Sequence, residues 1–387
     1  MAAFDVVDKT MLRADGKLAP RKVMCLFFCL FMFVTLASCS PPPELIGIDN
    51  PKTPAVTVSQ ATKHTVFVAT TREATEAVGA FYSASRAPEL GLASVVVSVP
   101  PTHVVGKLER PKQLPPDPTK EFAVIEPTVY ATENAFVASV NRELAKRPRG
   151  RRDILVFVHG YNNTTSDAIL RLGQFVEDTG FQGVPVLLDW ASAAKITRYV
   201  YDMNSALIAR PKVQELRKVL SRTNVEGYDI FAHSMGAFLI MEAMRDQVRS
   251  GQFNRAGKLN GIVLASPDID MDLFRSQMEE IDTNFDKFFV FLSEDDQALK
   301  ISRRIAGGVD RVGAADADEL AGLGVIAIDL SDIDDSSSGT HSKFAGSPEV
   351  VKLIGEGLNR SQIFNRSSLG SGLDEVLEGV PIRIAFE

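Results

Sequence analysis

The feature that most constrains this chain is a recurrence of short runs without polar side chains, each followed by a segment with helical spacing. Ile154-Leu155-Val156-Phe157-Val158 and Phe288 to Leu292 are continuously apolar. That pattern belongs to strands buried on both faces of a sheet. Thr165 to Asp178 follows the first run, with Ile169, Leu172 and Phe175–Val176 on one helical face and Gly180 as a stop. Val184 to Leu188, Tyr228 to Ala232, Gly261 to Ala265 and Val325 to Ile328 repeat the strand signal. The intervening helices are expected over 196–220 with an interruption at Pro211, and over 237–245, 271–281, 298–305 and 348–358. Repeated strand–helix–strand units require a mostly parallel central sheet with helices on both faces, so the expected fold class is α/β.

Upstream, Thr65 to Thr70 and Ala93 to Val99 are rich in β-branched residues, and Phe122 to Ile125 is a third strand candidate. Phe81 to Pro88 reads as a polar, small-residue loop, and Glu133 to Ala145 as a helix. Residues 61–150 are therefore expected to be a β-rich opening of the same domain, 151–360 its α/β core, and 361–387 a tail. Pro41, Pro42, Pro43, Pro51 and Pro54 mark 39–60 as an extended tether.

Residues 1–38 read as an export signal. Arg13, Lys17, Arg21 and Lys22 precede an apolar run from Val23 to Val34. The run is shorter than the ~20 residues a transmembrane helix needs and has the length of a signal-peptide core. It ends in Leu36-Ala37-Ser38-Cys39, which resembles a bacterial lipobox and implies acylation of Cys39, with the rest of the chain held in water beside a membrane. Ser40 rather than aspartate at the next position implies, by the same resemblance, the outer membrane and a periplasmic face. The three cysteines are Cys25, Cys29 and Cys39, so a chain beginning at Cys39 would keep no second thiol for a disulfide. A formal charge of −7 argues against a nucleic-acid partner, which would have to be held through its phosphates.

The reactive stretch is Tyr228-Asp229-Ile230-Phe231-Ala232-His233-Ser234-Met235-Gly236, with a helix-forming segment after it. A strand, a small-x-Ser-x-small turn and a helix form a nucleophile elbow, in which only small side chains fit two residues either side of the serine. Ala232 and Gly236 meet that demand. Ser234 is the expected nucleophile, and the N–H of Met235 at the helix start can stabilise negative charge. His159-Gly160-Tyr161 follows another strand, and the N–H of Tyr161 would complete an oxyanion hole.

Of the five histidines, His341 lies after the final strand, where the base belongs in the order Ser, acid, His. His159 is expected to brace its loop, His233 to point away from Oγ, and His64 and His103 to be ordinary packed or surface residues. Asp296 is the expected acid, with Asp295 second and Asp268 or Asp270 third. Tyr199, Tyr201, Trp190 and Met203 are candidates for an acyl pocket. Asp329, Asp332, Asp334 and Asp335 read as a solvated loop, since calcium loops need stricter ligand spacing; no metal or cofactor is called for.

Val158 to Asn163, Ala232 to Gly236, Ser266-Pro267-Asp268-Ile269-Asp270, Asp296 to Leu299 before Ser302-Arg303, His341-Ser342 and Val99 to His103 together resemble a bacterial α/β-hydrolase group, esterase/lipase superfamily proteins of unknown function. The resemblance spans roughly residues 61–345. It implies an α/β-hydrolase fold and a Ser–Asp–His triad, here Ser234, Asp296 and His341, and names no substrate. The reading is a lipid-anchored serine hydrolase acting on a small ester or lipid. Its rivals are a non-catalytic envelope lipoprotein that uses the fold for binding, and a lipid acyltransferase.

Overall fold

A computed structural model describes residues 42–281, 287–334, 340–360 and 380–386. Cys39 and the apolar run of the export signal lie outside the described residues. No described helix is long and apolar enough to cross a membrane.

Ten strands are described: β1 (Thr62–Ala74), β2 (Tyr82–Val99), β3 (Ala123–Val129), β4 (Ile154–Val158), β5 (Val184–Asp189), β6 (Tyr228–His233), β7 (Leu259–Ala265), β8 (Phe288–Leu292), β9 (Ile326–Asp329) and β10 (Arg383–Ala385). They form one sheet in the order β10-β9-β8-β7-β6-β4-β5-β1-β2-β3. Pairing is parallel from β9 through to β1, and antiparallel at β1–β2, β2–β3 and β9–β10. The helices are α1 (Glu133–Ala145), α2 (Thr165–Thr179), α3 (Tyr199–Leu220), α4 (Met235–Arg249), α5 (Met271–Glu280), α6 (Gln297–Ile305), α7 (Ala317–Ala321), α8 (Lys343–Gly346) and α9 (Pro348–Arg360).

Each apolar strand splits its side chains between two cores, as a period of two demands. Ile154, Val156 and Val158 join Phe136 of α1, Leu216 of α3 and Met241 of α4 on one face. Leu155 and Phe157 join Ile169 and Phe175 of α2 and Leu353 of α9 on the other. The stacked rings of Phe157 and Phe231, 5.8 Å apart, carry that second core across neighbouring strands. Helix α2 begins with a capping box in which Thr164 accepts from the Asp167 N–H and Asp167 accepts from the Thr164 N–H.

Three expectations are corrected. The segment expected as a tether packs from Leu45 onward: Leu45 and Ile46 are buried, and Ile46 bridges Val124. Apolar side chains between prolines are enough to seat it. Residues 82–91, expected in part as a loop, continue β2 as a bulged ribbon paired with β1. Its Arg86 lies over the Tyr201 ring at 4.0 Å and donates to the Tyr201 carbonyl, so long-range contacts decide where propensity is weak. Helix α3 runs through Pro211 without a break. Proline removes the bond to the Leu207 carbonyl, and that turn faces solvent, with Leu207 and Ile208 exposed, so water can take the bond's place.

His103 straps the loop after β2 to α2. Nδ1 lies 2.7 Å from Glu109 Oε2, and Nε2 lies 2.6 Å from Asp178 Oδ1. Burial alone would lower its pKa, but the bonds and charges of Asp178 and Glu109 outweigh it and bring the imidazole up to about 8. A raised histidine stabilises the fold fully below its unfolded value near 6.5, and that gain is lost as pH rises through 8. About 2 kcal/mol of stability should therefore disappear between pH 6.5 and pH 8.5. Urea titrations of His103→Gln should lose most of this dependence; an unchanged pH profile in the variant would disprove the assignment.

Candidate active site

In an open parallel sheet, ligands sit beyond the carboxyl ends of the strands. Here those ends deliver His159, Asp189, Ser234, Ser266 and Ser293 to one rim. Ser234 has φ +54 and ψ −122, a strained conformation for a residue with a side chain, costing on the order of 1–3 kcal/mol. Its surroundings hold it there. The Ser234 N–H donates to the Ala265 carbonyl at 2.9 Å, and the Asp268 N–H donates to the Ser234 carbonyl at 3.3 Å.

The turn leaves no room beside it. A Cβ on Gly236 would lie 2.5 Å from the His159 carbonyl oxygen, and one on Gly160 would lie 2.8 Å from Ser234 Cβ. Gly236 thus packs on the backbone of the other loop, and Gly160 leaves room for the His233 imidazole and Ser234 Cβ. Among the described residues, the N–H groups of Tyr161 and Met235 take no acceptor. Both belong to segments that flank Ser234.

Asp296 is fully buried and caps α6 through Oδ1, which accepts from the Leu299 N–H. Its other oxygen, Oδ2, lies 2.7 Å from Nδ1 of His341. A carboxylate there makes Nδ1 the protonated nitrogen and leaves the Nε2 lone pair unencumbered. Thr340 Oγ1 accepts from the Gln297 N–H and pins the same turn. His233, adjoining the serine, carries the turn from below: its Nε2–H donates to the His341 carbonyl at 3.2 Å, and the two rings lie 4.8 Å apart. Burial, and next the charge of His341, push His233 well below the usual imidazole range, so it works as a neutral donor.

The competing acids are occupied elsewhere. Asp295 pairs with buried Lys343, whose Nζ also donates to the Leu330 and Ser331 carbonyls. Asp268 accepts from Tyr199 and Ser302. Asp270 caps α5. Two of the aromatic pocket candidates have other roles. Trp190 is fully buried, stacks on His159 and donates to its carbonyl. Tyr201 holds Arg86 and donates to the Ala84 carbonyl.

Behind the Gly160–Asn163 loop lies a buried charge network that the sequence pattern did not reveal. Arg72 donates Nε to Asp189 Oδ1 at 2.8 Å, Nη1 to the Ser192 and Ser83 carbonyls, and Nη2 to the Asn163 carbonyl at 2.8 Å. Asp189 also accepts from Thr70 and Thr165, and faces His159 Nε2 at 3.2 Å. Burial raises the Asp189 carboxyl, but Arg72, His159 and Thr165 together overcome it and bring it to about 2. The available signal was a lone arginine two residues past a run buried in the sheet, together with an aspartate closing β5. Removing one partner of a buried pair leaves the other charge uncompensated, at about 3–5 kcal/mol. Arg72→Met should lower unfolding free energy by about that amount in urea melts, and a loss below ~1 kcal/mol would show that the pair does not secure the loop.

Among the described residues, no group of three or more potential metal-ligating side chains converges. A comparison with curated proteins yields no match. Among solved structures, a hyperthermophilic esterase from the archaeon Pyrobaculum calidifontis aligns at 12% identity and a TM-score of 0.30, over 59% of this chain and 94% of that one. An arylesterase aligns at 12% identity and a TM-score of 0.30, over 89% of this chain and 98% of that one. Likeness at this level carries no weight for the reaction. The family described as "Alpha/beta hydrolase of unknown function (DUF900)" matches residues 132–357, more than half of the chain and the span that holds the elbow, Asp296 and His341. The chain belongs to this family of α/β hydrolases.

Proposed function

We propose that the protein is a serine hydrolase acting on carboxylic esters, with Ser234 as nucleophile, His341 as general base and Asp296 as the carboxylate that orients it. The observation that carries this reading is the 2.7 Å bond from His341 Nδ1 to buried Asp296, on a turn seated against His233 and so beside the strained serine. In this reading Nε2 of His341 takes the Ser234 proton as Oγ bonds to the ester carbonyl carbon. The N–H groups of Tyr161 and Met235 hold the oxyanion. The tetrahedral adduct expels the alcohol, which receives the proton from His341, and an acyl-serine remains. Water, deprotonated by the same nitrogen, then attacks the acyl carbon and releases the acid and free Ser234. Esters are favoured because an alkoxide leaves more readily than an amide nitrogen.

Ser234→Ala should abolish labelling by a fluorophosphonate probe and cut kcat on p-nitrophenyl esters by roughly 10⁴-fold or more. Asp296→Asn should cost a comparable factor by misorienting the imidazole, whereas Asp295→Asn should stay within about tenfold. Folded wild-type protein that neither labels nor turns over any ester would favour a non-catalytic binder instead.

We further propose a lipid anchor at Cys39, supported by the basic stretch, the apolar run and the Leu36-Ala37-Ser38-Cys39 motif. Cells fed an alkyne analogue of palmitate should label the wild-type protein and not Cys39→Ser. Equal labelling of both would remove the anchor from the account.

A further inference from the structure

A cavity of about 190 Å³ lies at the far end of β6 from Ser234. Val156, Leu188 and Ile230 from the sheet, Leu216 and Leu220 from α3, and Ile240 from α4 line it. Tyr228 at the start of β6 also borders it, and Ile230, its nearest lining residue on that strand, stands four positions before Ser234, roughly 13 Å along the strand. Polar side chains, among them Ser221, Gln247 and Gln252, also border it, and an apolar space of about 150 Å³ lined by Leu, Ile and Phe accepts benzene. The space here is large enough for an apolar body of at least six carbons.

Its charge is unusual for the molecule. Arg217, Arg255 and Lys258 border the cavity, and no aspartate or glutamate does. None of the three cations forms an ion pair among the described residues, in a chain whose formal charge is −7. Lys258 Nζ donates to the Val225 carbonyl at 2.7 Å, and Arg217 Nε donates to Gln214 Oε1 at 3.2 Å, so both are held in place with donors to spare. Arg255 is exposed. An apolar pocket beside uncompensated positive charge matches a molecule with an alkyl tail and an anionic head.

We propose that this cavity binds a fatty-acid anion, its chain among Leu216, Leu220, Ile230 and Ile240 and its carboxylate at Arg217, Arg255 and Lys258. The site is separate from Ser234 and does not depend on the hydrolase reading.

Calorimetric titration of the full chain with hexanoate, octanoate, decanoate and dodecanoate tests it. Affinity should tighten roughly fourfold per added methylene until the cavity is full, then level off. Decanoate should bind at least tenfold more tightly than decanol, and decylammonium most weakly. Ile240→Trp should block the chain. Because a bulky side chain inside the fold can disturb folding, exposed Arg255→Glu provides the independent arm, weakening decanoate at least fivefold and leaving decanol unchanged. Affinity that ignores chain length, decylammonium binding as well as decanoate, or an Arg255→Glu variant that binds decanoate normally would each overturn the proposal. So would decanoate binding that vanishes when Ser234 is covalently labelled, since the occupied site would then be the elbow.

Discussion

The site rests on a steric fact: two segments meet so closely that glycine is needed on each side of the contact. Gly236 faces the carbonyl of His159, and Gly160 faces Ser234. That contact sets the distance between the turn after β4 and the turn after β6. It also brings the N–H groups of Tyr161 and Met235 to the same rim. The strained φ of Ser234 persists because both sides of the turn are hydrogen-bonded to neighbouring strands and loops. Strain of this kind survives only where the surroundings over-determine it.

Around that contact, polar groups are placed by burial rather than by exposure. Asp296 spends one oxygen on a helix start and the other on an imidazole, so its side chain has no freedom left. Asp295, its neighbour in sequence, points to Lys343 and serves the packing of the same loops. Asp268 ties Tyr199 and Ser302 together while its backbone steadies the elbow. Adjacent carboxylates thus take different jobs, decided by which donors each can reach.

The strands and the elbow were legible because their signals are local. A continuous apolar run and a small-x-Ser-x-small turn each need only a few neighbouring residues. Choosing among Asp295, Asp296, Asp268 and Asp270 was harder, since all four follow strands at the same rim and only through-space donors separate them. Trp190 read as a pocket aromatic but is core, because its partner His159 comes from a different strand. The Leu45–Ala55 segment read as a tether because proline spacing says nothing of where buried apolar residues will dock. Arg72 escaped notice for a related reason: it acts in part on backbone carbonyls, which carry no sequence signature.

The guanidinium of Arg72 comes from β1, which precedes the family-matched span in the chain, while Asp189, His159 and Asn163 all lie inside that span. The family-matched span is therefore not self-sufficient in charge. A piece trimmed to the boundaries of the family match would inherit a sealed carboxylate with its counter-ion cut away, and the Gly160–Asn163 turn would lose its tie to the opening hairpin. Strands β1 to β3 are in this sense a structural cofactor, supplied in cis.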